Sequence, residues 1–369
     1  MNNRRQIVQH RKTVPVSTRR LTVPRRSYPL AWEEGEGRVI GFRQGIIYDN
    51  SRSNWSGTAA RPVRWSAWYP AAPPDSHQSR LISDFYETGP LLVGATLADL
   101  PVRAPLVLLS HGTGGSAVGM TWLAEALAKA GFVVVGADHH GNTGAEQYRA
   151  EGFLCWWERM LDLSVLLDDL LSSSFLACRI DEDRIAAAGF SLGGYTVLGL
   201  LGAITRMERF QTWSLNRSFG KGPKEFPNVV EKIEPLLAES AVFRASWERQ
   251  SECFADSRIT SVLALAPAPT VRAFDVGSIR AIGHPVTIAV GQADDEAPAN
   301  DCAVWLHDLL PNSRLHLLGE NVGHYTLLAM GTAEARTSMP HLFADDSGVD
   351  RSAIHRQVIE IAQQAFSCV

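Results

Sequence analysis

Two rhythms of apolar residues organise this chain. Between Val63 and Tyr69, Val63, Trp65, Ala67 and Tyr69 alternate with Arg64, Ser66 and Trp68, which predicts a strand with one buried face ended by Pro70. Beyond the loop at Ala71 to Ser79 the pattern changes to a repeated unit of apolar run, Gly-rich turn and amphipathic helix. Pro105 to Leu109 predicts a buried strand, Trp122 to Ala130 a helix closed by Gly131, and Phe132 to Val135 the next strand. Met160, Leu163, Leu167 and Leu170 then recur at helical spacing within Trp157 to Leu171. A short strand over Arg184 to Ala188 follows, with further strands at Ile259 to Leu265 and Val286 to Val290. Regular β/α alternation of this kind predicts an α/β fold whose mostly parallel sheet carries helices on both faces.

Two stretches stand outside the rhythm. Residues 1–35 are rich in Arg, Ser and Pro and read as a flexible basic N-terminal arm, with order expected to begin near Arg38 and a single domain over 36–369. Gly202 to Ser257 interrupts the alternation with mixed helical patterns and reads as an insertion. Packed over the carboxyl ends of the strands, where open α/β sheets place their ligands, it would form a helical cap; the alternative is a surface excursion unrelated to any site.

Charge and composition narrow the function classes. The chain of 369 residues is 45% hydrophobic and carries a formal net charge of −4. Arg4, Arg5, Arg11, Lys12, Arg19, Arg20, Arg25 and Arg26 lie in the first 32 residues without an acid, so removing these eight cations from −4 leaves −12 on the rest. A body that acidic does not track phosphates, and no nucleic-acid partner is expected. No run approaches the roughly 18 apolar residues that span a bilayer, and the arm lacks the apolar segment of a secretory signal. A cytoplasmic location is therefore expected. Five widely spaced cysteines without CxxC pairing predict neither a metal site nor a disulfide framework. Oligomeric state is not legible.

The candidate chemistry centres on Gly189-Phe190-Ser191-Leu192-Gly193, a G-x-S-x-G pattern between a strand-like and a helix-like run. That turn lifts a serine off a strand end with its hydroxyl exposed, and the glycines remove side chains that would clash in the bend. A serine nucleophile needs a base to take its proton and a carboxylate to hold that base in the right tautomer. Of eleven histidines, His324 lies after the last strand in the short loop Asn321-Val322-Gly323-His324, whereas His139 and His140 precede the serine and suit a pocket wall better. Asp294 and Asp295 both lie just beyond the strand Val286 to Val290, and either could be the acid. His111-Gly112-Thr113-Gly114-Gly115 resembles an oxyanion loop, which makes the amides of Thr113 and Leu192 the expected oxyanion donors and His111 a brace of the loop. The same loop lacks the Gly-Lys-Ser/Thr of a phosphate-binding loop. His140, Trp156, Trp157 and Tyr195 are expected to line the pocket.

The sequence also resembles a known family, the serine-containing dienelactone hydrolase-like proteins related to plasma-type platelet-activating factor acetylhydrolases, within the α/β-hydrolase superfamily. The likeness covers roughly residues 60–200 and 255–330. It rests on Arg61-Pro62-Val63-Arg64, Ser110-His111-Gly112-Thr113-Gly114-Gly115, Asp138-His139-His140-Gly141-Asn142-Thr143, Gly189-Phe190-Ser191-Leu192-Gly193-Gly194-Tyr195-Thr196 and Val322-Gly323-His324-Tyr325. The resemblance implies an α/β-hydrolase fold and an acid in a G-x-x-D-x-x-x-P loop, which falls on Gly291, Asp294 and Pro298 and so favours Asp294. It departs from the namesake enzymes, which use cysteine where Ser191 stands. The resulting expectation is hydrolysis of a carboxylic ester or lactone through an acyl-enzyme, without metal or cofactor. Amidase or peptidase activity, acyl transfer to a second substrate, and a catalytically silent binding protein are the rivals.

Overall fold

The computed structural model describes residues 39–73, 81, 83–100, 102–216 and 222–367. The basic arm expected over 1–35 and Cys368 lie outside the described residues.

Among the described residues nine strands form one sheet: β1 (Ile40–Ser53), β2 (Ala60–Pro70), β3 (Leu91–Val93), β4 (Ala104–Ser110), β5 (Val133–Asp138), β6 (Ile180–Phe190), β7 (Ile259–Leu265), β8 (Val286–Val290) and β9 (Ser313–Leu317). Their order is β3-β1-β2-β5-β4-β6-β7-β8-β9. From β5 to β9 every neighbour runs parallel, while β2 joins antiparallel to both β1 and β5. The parallel strands β4, β5 and β8 are buried along their whole length, as strands covered on both faces must be. β1, at the antiparallel side, alternates half-buried and exposed positions from Arg43 to Tyr48.

The elements expected from sequence between Val63 and Val290 are present; the strands Ile259–Leu265 and Val286–Val290 match end for end, and the others have shifted ends. The helix after β4 spans Thr121–Lys129, and Gly131 stops the chain at φ 97°. The helix expected over Trp157 to Leu171 spans Glu158–Ser172, and the one after the serine spans Leu192–Leu200. The long strand β1 carried no expectation, because its exposed half alternates weakly with Arg, Gln and Asp.

Because β4, β6, β8 and β9 run parallel, the loops at 111–115, 191, 291–298 and 318–324 all leave the same edge of the sheet. That edge gathers every segment singled out for chemistry.

Candidate active site

Ser191 follows β6 in a backbone conformation that L-residues rarely adopt, φ 54° and ψ −115°. Its surroundings hold it there. The Ser191 amide donates to the Leu265 carbonyl at 2.8 Å, and the Ser191 carbonyl accepts from Gly194 N at 2.8 Å and Ala268 N at 3.0 Å. A Cβ on Gly193 would overlap the Ser110 carbonyl oxygen, and one on Gly189 would overlap that of Gly193. Such a strained residue persists only when its neighbours over-determine it, and such residues cluster at functional sites.

His324 begins a short helical turn, His324–Leu327, beyond β9. Its Nδ1 lies 2.7 Å from Asp294 Oδ2, and Asp294 Oδ1 accepts from Ala297 N at 2.7 Å. Both residues are buried, whereas Asp295 is exposed. The geometry therefore joins His324 to Asp294 and leaves Asp295 at the surface. The close approach that makes this loop possible is at Gly291, where a Cβ would overlap the Val322 carbonyl oxygen. The Phe190 ring packs on His324 with centroids 4.8 Å apart.

The Gly-rich loop after β4 is anchored from several sides. Asn142 Oδ1 accepts from Gly114 N at 2.6 Å, and the Tyr148 hydroxyl donates to the Gly114 carbonyl at 2.7 Å. His111 is buried; its Nε2 accepts from the His139 amide at 3.1 Å, so its single proton sits on Nδ1 and donates to the Gly112 carbonyl at 2.6 Å. Burial and then the charge of Arg159 hold His111 neutral, well below the usual histidine range.

Ser191, Thr113, Leu192, His324 and Trp156 line one cavity of about 1460 Å³. The other expected pocket residues lie elsewhere. His140 accepts from Trp55 N at 3.3 Å and bonds Glu146 through Nδ1 at 2.6 Å, stacked on the Trp55 ring. Trp157 donates its indole N–H to the Ser246 carbonyl at 2.9 Å and packs on Trp247. Tyr195 hydrogen-bonds Thr205 and stacks on Phe274 at 4.6 Å, behind Trp156. None of these three rings lines the cavity.

Much of the lining lies outside the four residues named above as pocket residues. Phe210, Glu225, Phe226 and Val229 reach it from the segment 202–257. On another side stand Phe85, Tyr86, Tyr325, Met339 and His341. The apolar bulk of 202–257 signalled the first group; nothing periodic marks the second. Among the carboxylates at the cavity, burial pushes Asp138 up to about 6 and raises Glu225. Lys224 lines it as well, ion-paired to Glu296.

Among the described residues no cluster of three or more His, Cys, Asp or Glu is placed to hold a metal, and no helix is long and apolar enough to cross a membrane. Cys155, Cys178, Cys253 and Cys302 are free thiols.

No family model matches the chain, and no curated protein matches it. Among solved structures, a ferulic acid esterase from Streptomyces cinnamoneus matches with a TM-score of 0.58 over 91% of each chain, at 18% sequence identity. The chain has the α/β-hydrolase fold. In all, 1072 solved chains match, so the fold is widespread and does not by itself select a substrate.

Proposed function

We propose that the protein is a serine hydrolase that cleaves carboxylic esters, with Ser191 as nucleophile, His324 as base and Asp294 as the residue that orients His324. The observation that carries this reading is the 2.7 Å Asp294–His324 bond at a cavity that also receives the strained Ser191. Ser191 Oγ attacks the ester carbonyl as its proton passes to His324 Nε2, and the charge growing on the carbonyl oxygen is met by the amides of Thr113 and Leu192. The same proton then leaves with the alcohol, and water, activated by His324, releases the acid from Ser191. Lactones fit this chemistry, since only the tether between acid and alcohol differs. The resemblance to serine-containing dienelactone hydrolase-like proteins points the same way.

The lining narrows the substrate. Phe85, Tyr86, Phe153, Trp156, Phe210 and Phe226 supply aromatic surface, while Asp138, Glu146, Glu225 and Glu296 supply negative charge. Lys224, the one Lys or Arg that lines the cavity among the described residues, is already paired to Glu296. A free carboxylate or phosphate would meet repulsion, so the favoured substrates are uncharged esters with a bulky, partly aromatic group. The ferulic acid esterase match supports the same class. The segment 202–257 acts as the cap in this reading, because its residues supply part of the wall.

The test is active-site labelling of the full chain with a fluorophosphonate, combined with hydrolysis of p-nitrophenyl esters. Labelling and turnover that are both lost in Ser191→Ala support the assignment; labelling that survives the substitution overturns it.

A further inference from the structure

Arg159 is a buried cation with an unusual set of partners. It lies in the first turn of the helix Glu158–Ser172 and is fully enclosed. Arg52 and Arg61, its neighbours in the same buried region, meet carboxylates: Arg52 bonds Asp49, Glu158 and Asp162, and Arg61 bonds Asp162 at 2.7 Å. Arg159 instead donates to backbone. Its Nη1 reaches the His111 carbonyl at 2.8 Å and its Nη2 reaches the Gly112 carbonyl at 3.3 Å. Its Nε finds no acceptor among the described residues. A buried charge spent on two carbonyls of one loop calls for a reason beyond packing, because burying it is costly.

We propose that Arg159 is the positioning residue of the oxyanion hole, acting through the peptide that joins Gly112 to Thr113. This rests on the reading of Thr113 as an oxyanion donor. The Gly112 carbonyl and the Thr113 N–H belong to one planar unit, and no cis peptide occurs among the described residues, so the two groups point in opposite directions. Arg159 Nη2 and His111 Nδ1 both hold the Gly112 oxygen, at 3.3 and 2.6 Å. Turning that oxygen toward the protein interior turns the Thr113 N–H away from it. Two donors on the oxygen also polarise the amide and strengthen its N–H as a donor. The neighbouring His111 carbonyl is held by the same guanidinium, which prevents the loop from flipping as a unit. Finally, the positive charge sits behind the donors in a buried region, where it acts on a developing oxyanion with little screening.

The experiment compares Arg159→Met and Arg159→Lys with the parent in the full chain. Steady-state hydrolysis of a p-nitrophenyl ester gives kcat and KM, and the Thr113 backbone amide resonance in the free protein gives the donor's environment. Loss of one oxyanion donor costs about 100- to 1000-fold in kcat, so weakening one should cost about 10- to 100-fold in Arg159→Met. KM should stay within about twofold, since ground-state binding does not use the hole. Arg159→Lys, which keeps the charge but not the fork, should recover part of kcat. The Thr113 amide proton should move upfield in Arg159→Met. A parental kcat, or kcat that falls only in proportion to the folded fraction, overturns the proposal. If Ser191→Ala leaves hydrolysis intact, the nucleophile assignment fails by itself; the Thr113 resonance then decides, and an unmoved amide in both variants overturns the role of Arg159. Should Arg159→Met not fold, Arg159→Lys carries the same criteria.

Discussion

The protein contains a buried Ser-His-Asp grouping, and a second, proposed one lies at the cavity; the two share their composition and differ in access and backbone strain. In the first, Ser110 Oγ lies 2.9 Å from His139 Nε2, and His139 Nδ1 lies 3.1 Å from Asp162 Oδ2. With Asp162 ionised, His139 must donate from Nδ1 and accept from the Ser110 hydroxyl, which is the proton arrangement of a catalytic triad. Yet all three residues are sealed in the interior, and none borders the cavity. Ser110 sits in the regular backbone of β4, and Asp162 is tied to Arg52 and Arg61. In the second grouping Ser191 stands in a strained turn, and both Ser191 and His324 face the cavity. The buried chain of hydrogen bonds therefore has no access to substrate. The proposed one differs by access and by backbone strain.

The comparison breaks first at the serines. Ser191→Ala should reduce ester hydrolysis by about a millionfold, the loss seen when a triad nucleophile is removed. Ser110→Ala should keep kcat within a few fold and cost about 1 kcal/mol of stability, one buried hydrogen bond. Equal losses in the two variants would erase the distinction.

The acids should separate next. Asp294→Asn should lower kcat by about ten-thousandfold through the wrong His324 tautomer, with urea unfolding near that of the parent. Asp162→Asn should do the reverse. Burial opposes its charge, but Arg61 and Arg52 outweigh that and hold the Asp162 carboxyl well below the carboxylate range. Removing it leaves buried guanidinium groups uncompensated, at about 3–5 kcal/mol in urea unfolding. A stable Asp162→Asn with low kcat would place the buried grouping in the chemistry.

Acid provides a smaller, graded effect. Burial, and then the Arg159 charge, hold His139 down to about 3, against about 6.5 for histidine in an unfolded chain. Below 6.5 the unfolded state takes up a proton that the folded state refuses. The stability this group contributes is therefore complete above 6.5 and is lost as pH falls toward 3. Between pH 6.5 and 4 the parent should lose up to about 1.4 kcal/mol more per pH unit than His139→Asn in urea melts. Parallel curves for the two proteins would mean that His139 is charged in the fold.

How much of this was legible in the sequence follows from what each feature depends on. Ser191, the Gly-rich loop and the strands from β4 to β8 depend on local chemistry: apolar runs, and glycines where a Cβ would strike backbone, as at Gly189 and Gly193. His324 and Asp294 were legible as positions after strands, while their pairing came only with the 2.7 Å bond. Side-chain direction was not legible. Trp156 and Trp157 are adjacent and equally apolar, yet one lines the cavity and the other bonds Ser246. Nor was the wall formed by Phe85, Tyr86 and Met339, because those residues come from loops whose placement depends on contacts such as Tyr86 with Phe343. The buried Ser110–His139–Asp162 grouping was invisible for the same reason: its members belong to three separate elements.

The weakest effect tests the feature that the buried grouping lacks, a wall that meets substrate. The segment 202–257 divides its apolar residues between two tasks. Phe210 and Phe226 line the cavity, Phe210 packed on Trp156 at 5.0 Å and Phe226 on Phe153 at 5.3 Å. Phe243 and Trp247 pack on each other and, through Trp247, on Trp157, away from the cavity. Phe226→Ala should therefore change which p-nitrophenyl esters are preferred, shifting the ratio of kcat/KM between a bulky aromatic and a short acyl group by about tenfold, since a pocket methylene is worth about 1–3 kcal/mol. Trp247→Ala should leave that ratio alone and lower stability by about 1–3 kcal/mol, the cost of trimming a partly buried aromatic. Measured together, the ratio and the urea midpoint distinguish wall from support. If Phe226→Ala keeps the parental ratio while folded, 202–257 does not select substrate, and the surface-excursion reading of that segment replaces the cap.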